Sequence, residues 1–116
     1  MLPKADTVRL RHMLDAAEEA TRFISGHERS DLDSDRMLSF ALVRAIEIIG
    51  EAASKVSPEA RSACPNLPWP SIIAMRNRIV HAYFDIDLDR VWDTVTDDLP
   101  ALITELRVIL ADEELG

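Results

Sequence analysis

The chain has 116 residues, of which 47% are hydrophobic and 5% aromatic, with three glycines and one cysteine, Cys64. This length fits a single domain over residues 1–116; the few aromatic residues and glycines argue against a β-sandwich, and one cysteine excludes an internal disulfide and a cysteine-cluster zinc site. The net charge of −8, from 21 acidic and 13 basic side chains, excludes a protein whose whole surface attracts nucleic-acid phosphates.

Apolar residues recur at helical spacing through the first half of the chain. The first helix is predicted to begin at Asp6 as its N-cap and to end at Gly26. A polar connection follows over residues 27–33. A second helix is predicted from residue 34 or 35 to Val56, with an apolar stripe that indicates burial against a core.

Prolines divide the middle of the chain. A serine–proline pair at Ser57 is typical of an N-cap followed by the first helical position, so a short helix is predicted that ends before Pro65. Residues 65–70 hold three prolines and predict a rigid, non-helical connection. A third long helix is predicted from the last of these prolines to His81 or Tyr83.

The last helix is predicted from about Asp89 to Asp112, because its apolar residues are spaced alternately three and four apart. Pro100 is expected to bend this helix, since its ring removes one backbone hydrogen bond. Four main helices with short connections predict an all-α fold, a compact antiparallel bundle of four to five helices.

The N-terminus carries no apolar segment like that of a signal peptide, and no apolar run approaches the roughly 18 residues of a membrane span. We therefore expect a soluble, cytoplasmic protein with no membrane partner. The three histidines are far apart in the sequence, and no aspartate-rich loop contains the turn glycine of a calcium site. No metal and no cofactor is expected.

The second helix is apolar on more than one side. A second stripe, well away from the first, is formed by Phe40, Val43, Glu47 and Gly50. An extra apolar face in a small bundle usually meets another chain, so these four residues are predicted to form a homodimer interface. The alternative is that another helix of the same chain covers them.

Charge is unevenly distributed over the second half of the chain. Residues 71–84 contain no Asp or Glu but hold Arg76, Arg78 and His81, whereas residues 85–98 hold six aspartates and one arginine. This basic segment could attract phosphate locally, or it could be ordinary variation of the surface. The charge pattern alone leaves both readings open.

Four polar side chains on the third helix are predicted to converge at its C-terminal end. On a helical wheel Arg76 projects from the middle of an apolar stripe, where a guanidinium needs a partner or a wet cleft. Asn77 is four residues before His81 and is expected to hydrogen-bond and orient its imidazole. Tyr83, seven residues after Arg76, returns to nearly the same face.

This set of residues suits attack of a ribose 2′-hydroxyl on its own phosphodiester. His81 can take the hydroxyl proton, and the Arg76 guanidinium matches phosphate geometry and stabilises the charged transition state. No metal is needed, and a two-fold dimer would bring a second histidine to act as the acid. The alternative is a surface ion pair in which Glu47 or Glu51 simply neutralises Arg76.

The segment Arg76–Tyr83 resembles the Arg-x4-His-x-Tyr signature of HEPN-domain ribonucleases, in the HepT-like toxin branch. Three further segments are similar to that branch. They are residues 46–53 on the second helix, the Pro68-Trp69 pair before the third helix, and residues 81–87 after it. The resemblance runs in the same order from about residue 6 to residue 112.

The resemblance implies an all-helical homodimer that cleaves RNA without a metal, as the toxin of a type II or type VII-like toxin–antitoxin pair. It implies catalytic roles for Arg76 and His81, with Asn77 as a supporting residue. The antitoxin would be a minimal nucleotidyltransferase, which in members with the tyrosine transfers AMP to it, here Tyr83. An AMP group there would place negative charge and bulk beside Arg76 and block the RNA site.

Two other classes of function remain open from the residues. The same cleft could hold a nucleotide or RNA without turnover, as a binding module that partners a nucleotidyltransferase. The chain could also be a dimeric adaptor, in which case alanine at Arg76 and His81 would leave its function unchanged.

Overall fold

The structure is a computed structural model that describes residues 1–115, and nearly all of its elements are helices. The helices are α1 (Lys4–Phe23), α2 (Asp31–Ser34), α3 (Arg36–Ser54), α4 (Pro58–Ala63), α5 (Trp69–Ile79), α6 (Leu88–Asp93) and α7 (Leu99–Leu115), with a π-helical segment (Thr94–Asp98) between the last two. Two short strands, β1 (Val80–Ala82) and β2 (Asp85–Ile86), form a hairpin after α5. The predicted all-α fold is confirmed. No helix within residues 1–115 combines the length and the apolar character needed to cross a membrane.

The long helices share one hydrophobic core. α1 packs against α3 and α7, and α3 packs against α5. Side chains that are almost completely buried come from every long helix: Leu10, Met13, Leu42, Ile46, Ile49, Ile72, Ile79, Leu99 and Leu106. Burying one such side chain stabilises the fold by about 1.5–3 kcal/mol, so this core fixes the position of α5 relative to α3.

The limits of α3 agree with the sequence. Asp35 caps the helix, since its carboxylate accepts a hydrogen bond from the backbone N–H of Leu38 at 3.0 Å. The short helix α4 also begins as predicted, where the Ser57 hydroxyl accepts from the N–H of Ala60 at 3.2 Å. Local capping chemistry therefore sets both helix starts.

The start of α1 differs from the prediction. The helix begins at Lys4 after Pro3, so Asp6 lies inside the first turn and is not the N-cap. Asp6 is buried, and its carboxylate accepts hydrogen bonds from the Ser57 backbone N–H at 2.8 Å and from the Ser57 hydroxyl at 2.7 Å. Its role is to connect α1 to the start of α4. Gly26 has a φ of 79° and follows the helix end, as expected.

The α3 stripe predicted to meet a second copy faces α5. Gly50 is buried, and a Cβ built there would lie 3.4 Å from the carbonyl oxygens of two α5 residues. Val43 is also buried. The interface prediction is therefore wrong for these two residues, because both are buried within the monomer, Gly50 against α5. Glu47 is partly exposed and Phe40 is 54% exposed at the other end of the stripe.

α5 ends at Ile79, earlier than predicted, and the chain turns into the hairpin. Val80 has an extended backbone with φ −117° and ψ 106°, which suits a β-branched residue. The antiparallel strands pair Val80 with Ile86 and Ala82 with Asp85 across an irregular register. The Asp87 N–H also donates to the Ile79 carbonyl at 2.8 Å. These partners replace the helical hydrogen bonds that the prediction assumed beyond Ile79.

The C-terminal helical region contains a π-helical segment just before Pro100, where the sequence predicts a bend. The π-helical segment ends at Asp98, two residues before this proline. Proline has no N–H to donate four residues back, and its ring clashes with the carbonyl there. A locally widened helix accommodates that loss, so α6, the π-helical segment and α7 run on without a loop.

Candidate active site at the end of α5

The predicted site residues lie on two different elements. Arg76 and Asn77 are on the last turns of α5, His81 is on β1, and Tyr83 is in the turn between the two strands. All four side chains are exposed. The site therefore consists of a helix end and the hairpin that follows. The sequence instead predicts that all four side chains lie at the end of one helix.

Arg76 lies beside the apolar stripe of α5, and its predicted place in the middle of that stripe is wrong. The buried residues of this helix include Ile72, Met75 and Ile79, which direct Arg76 to the rim. Its side chain is 50% exposed, and its Nε lies 3.7 Å from Oε2 of Glu47 on α3. Exposed ion pairs contribute only about 0–1 kcal/mol, so Glu47 orients this guanidinium but leaves it accessible to a phosphate.

A groove of about 340 Å³ runs beside Arg76 and Asn77. Its other wall comes from α3, where Gly50 allows close approach of the two helices. The residues that line it are Glu47, Gly50, Glu51, Ser54, Ile73, Arg76 and Asn77. This volume lies within the range of small-molecule sites. His81 lies outside this lining, so the groove is one part of the site and the hairpin is another.

His81 is oriented toward a carboxylate. Its side chain is 54% exposed, and its Nε2 lies 4.0 Å from Oδ2 of Asp87. Within residues 1–115 no hydrogen bond joins it to Asn77, because α5 ends before His81 and the predicted four-residue helical spacing is lost. The prediction that Asn77 orients His81 is therefore wrong in this structure.

The tip of the hairpin presents two aromatic side chains to solvent. Tyr83 is 93% exposed and Phe84 is 77% exposed. Their rings meet edge to face, with centroids 5.1 Å apart and planes at 82°. The phenol hydroxyl at the tip is thus accessible to another macromolecule.

The acidic segment after the hairpin is partly neutralised. Asp89 accepts a hydrogen bond from Nε of Arg29 at 2.6 Å, and this bond is the main reason that the pKa of Arg29 is raised. Asp87 caps α6 by accepting from the Arg90 N–H at 3.0 Å.

Among residues 1–115 no group of three or more His, Cys, Asp or Glu side chains is arranged to hold a metal ion.

The sequence pattern does not predict that Asp87 lies beside His81. The aspartates at 85, 87 and 89 favour a helix N-terminus, which accounts for the cap but not for the contact with His81. The feature that could have predicted this contact is the separation of six residues between His81 and Asp87, because a short hairpin brings two such residues together. The spacing predicts this contact only for a chain in which α5 ends before His81, as it does at Ile79.

Comparison with known proteins defines the class to which this fold and site belong. The ribonuclease HepT-like family matches residues 13–109, and the chain belongs to this family. A protein of Thermococcus cleftensis named "Probable ribonuclease HepT" is 37% identical over 89 residues, covering 77% of this chain and 78% of the relative.

Two further relatives cover more of the chain. "Putative RNase MJ1380" of Methanocaldococcus jannaschii is 31% identical over 86% of this chain and 92% of its own length. "Putative RNase TTE0752" of Caldanaerobacter subterraneus subsp. tengcongensis is 32% identical over 90% of this chain and 94% of its own length. No solved structure gives a significant match.

Proposed function

We propose that the chain is an endoribonuclease that acts as the toxin of a toxin–antitoxin pair in the cytoplasm. Membership of the HepT-like family and relatives named as ribonucleases support this proposal. The observation that carries it is the joint exposure of Arg76, His81 and Tyr83 at the end of α5 and on its hairpin. A guanidinium, an imidazole and a phenol hydroxyl lie there on neighbouring elements.

In the proposed reaction the ribose 2′-oxygen attacks the adjacent phosphorus, and the bond to the 5′-oxygen of the next nucleotide breaks. His81 accepts the proton of the 2′-hydroxyl. Arg76 binds the non-bridging oxygens and stabilises the charge that develops on them. The 5′-oxygen leaves with a proton, and the other product carries a 2′,3′-cyclic phosphate. No step uses a metal ion.

A homodimer would supply the second proton-transfer group. Each copy carries one histidine in this motif, and protonation of the leaving oxygen calls for an acid in addition to the base. Since Val43 and Gly50 are buried within the monomer, the contact between copies must use exposed residues. Phe40 is such a residue, with Arg36 stacked over its ring at 5.1 Å.

The proposed antitoxin is a nucleotidyltransferase that inactivates the enzyme at Tyr83. The phenol oxygen would attack the α-phosphorus of ATP, losing its proton and releasing pyrophosphate. The exposure of Tyr83 supports this step, since a partner enzyme must surround the hydroxyl. The attached AMP phosphate would then compete with RNA for Arg76.

The test is RNA cleavage by purified protein in EDTA. The wild type should cut RNA, whereas His81→Ala and Arg76→Ala should lose at least about a hundred-fold in rate, a loss typical of removing a group that acts on the transition state. His12→Ala is the matched control, since His12 is exposed on α1, and it should cleave normally. Circular dichroism confirms that each variant folds. Undiminished cleavage by His81→Ala would contradict the proposal.

A second candidate function is a binding module that holds a nucleotide or RNA without turnover. The observation that favours it is the groove beside Arg76 and Asn77, which His81 does not line. This function predicts saturable binding of RNA or a nucleotide that Arg76→Ala weakens and His81→Ala leaves intact. It also predicts that no product forms at any enzyme concentration.

A further inference from the structure

We infer that Asp87 is the positioning residue of His81, a role that rests on the proposed ribonuclease function. The same carboxylate caps α6 through one oxygen and faces the imidazole of His81 with the other. The hairpin and the start of α6 thus form a unit that holds the proton-transfer group in place.

Asp87 is held by two hydrogen bonds, one at its backbone N–H and one at Oδ1. Its N–H donates to the Ile79 carbonyl at 2.8 Å, which closes the base of the hairpin. Its Oδ1 accepts from the Arg90 N–H at 3.0 Å. These bonds leave Oδ2 as the oxygen that faces His81, with 4.0 Å between it and Nε2. Because these hydrogen bonds already hold the carboxylate in place, it can orient the imidazole ring of His81 without first losing side-chain freedom of its own.

The distance of 4.0 Å is longer than a hydrogen bond, and His81 is exposed enough to close it by a small rotation about its side-chain torsions. In the closed position the Nε2–H donates to Asp87. That tautomer leaves Nδ1 with a lone pair for the proton of the 2′-hydroxyl. The carboxylate then stabilises the imidazolium that forms, because opposite charges at this range favour the charged state.

Other charged groups lie on the elements around His81. Arg76 is on α5, Asp85 is on β2, and Asp89 and Arg90 are on α6. Asp89 is already held by Arg29 at 2.6 Å. Among residues 1–115 Asp87 is the acidic side chain within ion-pair distance of His81, so the positioning role belongs to it.

The decisive variant is Asp87→Asn, because asparagine is as good an N-cap as aspartate but lacks the negative charge. If Asp87 only caps α6, this variant should behave as the wild type. If it positions His81, kcat for RNA cleavage in EDTA should fall by about ten- to a hundred-fold, the loss typical when the outer partner of a metal-binding histidine is removed, with KM unchanged. Asp85→Asn removes an equal charge from the same hairpin and should leave kcat unchanged.

A second measurement does not depend on cleavage. Nitrogen-15 spectra of the histidine ring, assigned with His81→Ala, report which ring nitrogen carries the proton. The wild type should show the Nε2–H tautomer at His81, and Asp87→Asn should shift the population toward Nδ1–H. The Asp85→Asn spectrum should match that of the wild type.

The results separate the two proposals. If the wild type does not cleave RNA, the proposed function fails, and the tautomer shift alone decides whether Asp87 orients His81. If the wild type cleaves but Asp87→Asn has wild-type kcat and the wild-type tautomer, the positioning role is overturned and the ribonuclease function stands. Equal thermal stability of Asp87→Asn and the wild type confirms that α6 keeps its cap.

Discussion

At the scale of single residues, Arg76 combines a fixed direction with an accessible charge. Glu47 attracts its guanidinium across 3.7 Å, yet half of the side chain is exposed. A phosphate offers the planar fork two oxygens at hydrogen-bond distance and can displace a carboxylate that is not in direct contact. In the proposed reaction Glu47 would therefore orient Arg76 for an anionic substrate without competing strongly with it.

The residue types of the site could be predicted from the sequence, but not all their partners. Arg76, His81 and Tyr83 stand at a recognisable spacing, and Glu47 was a foreseeable partner for Arg76. Asp87 was not foreseeable in this role, because an aspartate before a helix already has a sufficient explanation as a cap. Its contact with His81 depends on a backbone turn that helical spacing does not reveal.

Cys64 provides a prediction about pH and stability. Burial raises the pKa of its thiol above the ordinary range, with a smaller contribution from Glu113. The unfolded chain then releases the thiol proton at a lower pH than the folded chain does. The free energy of unfolding should therefore decrease as pH rises past about 8.5, the ordinary thiol pKa.

The measurement is urea denaturation between pH 7 and pH 10 for the wild type and Cys64→Ala. Other groups titrate in both proteins, so the difference between the two curves isolates the thiol. The difference in the free energy of unfolding between wild type and variant should become smaller at high pH. A difference that stays constant would show that the thiol ionises equally in the folded and unfolded chains.

At the scale of elements, α3 and α5 form the scaffold of the site. Their close approach at Gly50 places Arg76 beside Glu47 and creates the groove next to Asn77. The hairpin then carries His81 and Tyr83 beyond the helix end. The sequence predicts α3 well, because Asp35 is a local cap. It overestimates the length of α5, because the pairing of β1 with β2 is a contact between two segments, and periodicity within one segment does not describe such a contact.

Substitution Gly50→Leu tests the helix contact. The Cβ position is already 3.4 Å from two backbone carbonyl oxygens of α5, so a larger side chain must push the helices apart. The free energy of unfolding should fall by about 1–3 kcal/mol, as for other overpacked sites, measured by thermal and urea denaturation. Arg44→Leu, an exposed position on the same helix, should leave stability nearly unchanged. A stable Gly50→Leu variant with an altered oligomeric state would instead place Gly50 at a contact between copies.

At the scale of the whole molecule, the charge of −8 opposes long-range attraction of RNA. Under the proposed function, capture of RNA would therefore depend on the local segment of residues 71–84, which contains no acidic residue. It would also depend on the pairing of nearby aspartates, such as Asp89 with Arg29. The all-α class and its single core followed from helical periodicity. Periodicity does not predict that the second apolar stripe of α3 is partly buried within the monomer, because it shows that a face is apolar but not which helix covers that face.

Phe40 tests the proposed association of two copies. Its ring is 54% exposed on α3, so Phe40→Glu should preserve the monomer fold and weaken the dimer. Sedimentation should show a dimer for the wild type and a lower mass for the variant, with a parallel loss of RNA cleavage. Met37→Glu is the comparison, because Met37 is equally apolar and 84% exposed one turn away. A wild type that cleaves RNA as a monomer would contradict the requirement for two copies.

The most direct test of the central claim compares RNA with 2′-O-methyl RNA of the same sequence, incubated with the wild type in EDTA. The claim is that His81 removes the 2′-hydroxyl proton while Arg76 stabilises the phosphate. It predicts that RNA is cut to products with 2′,3′-cyclic phosphate ends, identified by mass spectrometry, and that the methylated strand binds but stays intact. Equal cleavage of both strands, or products with 5′-phosphate ends, would contradict it.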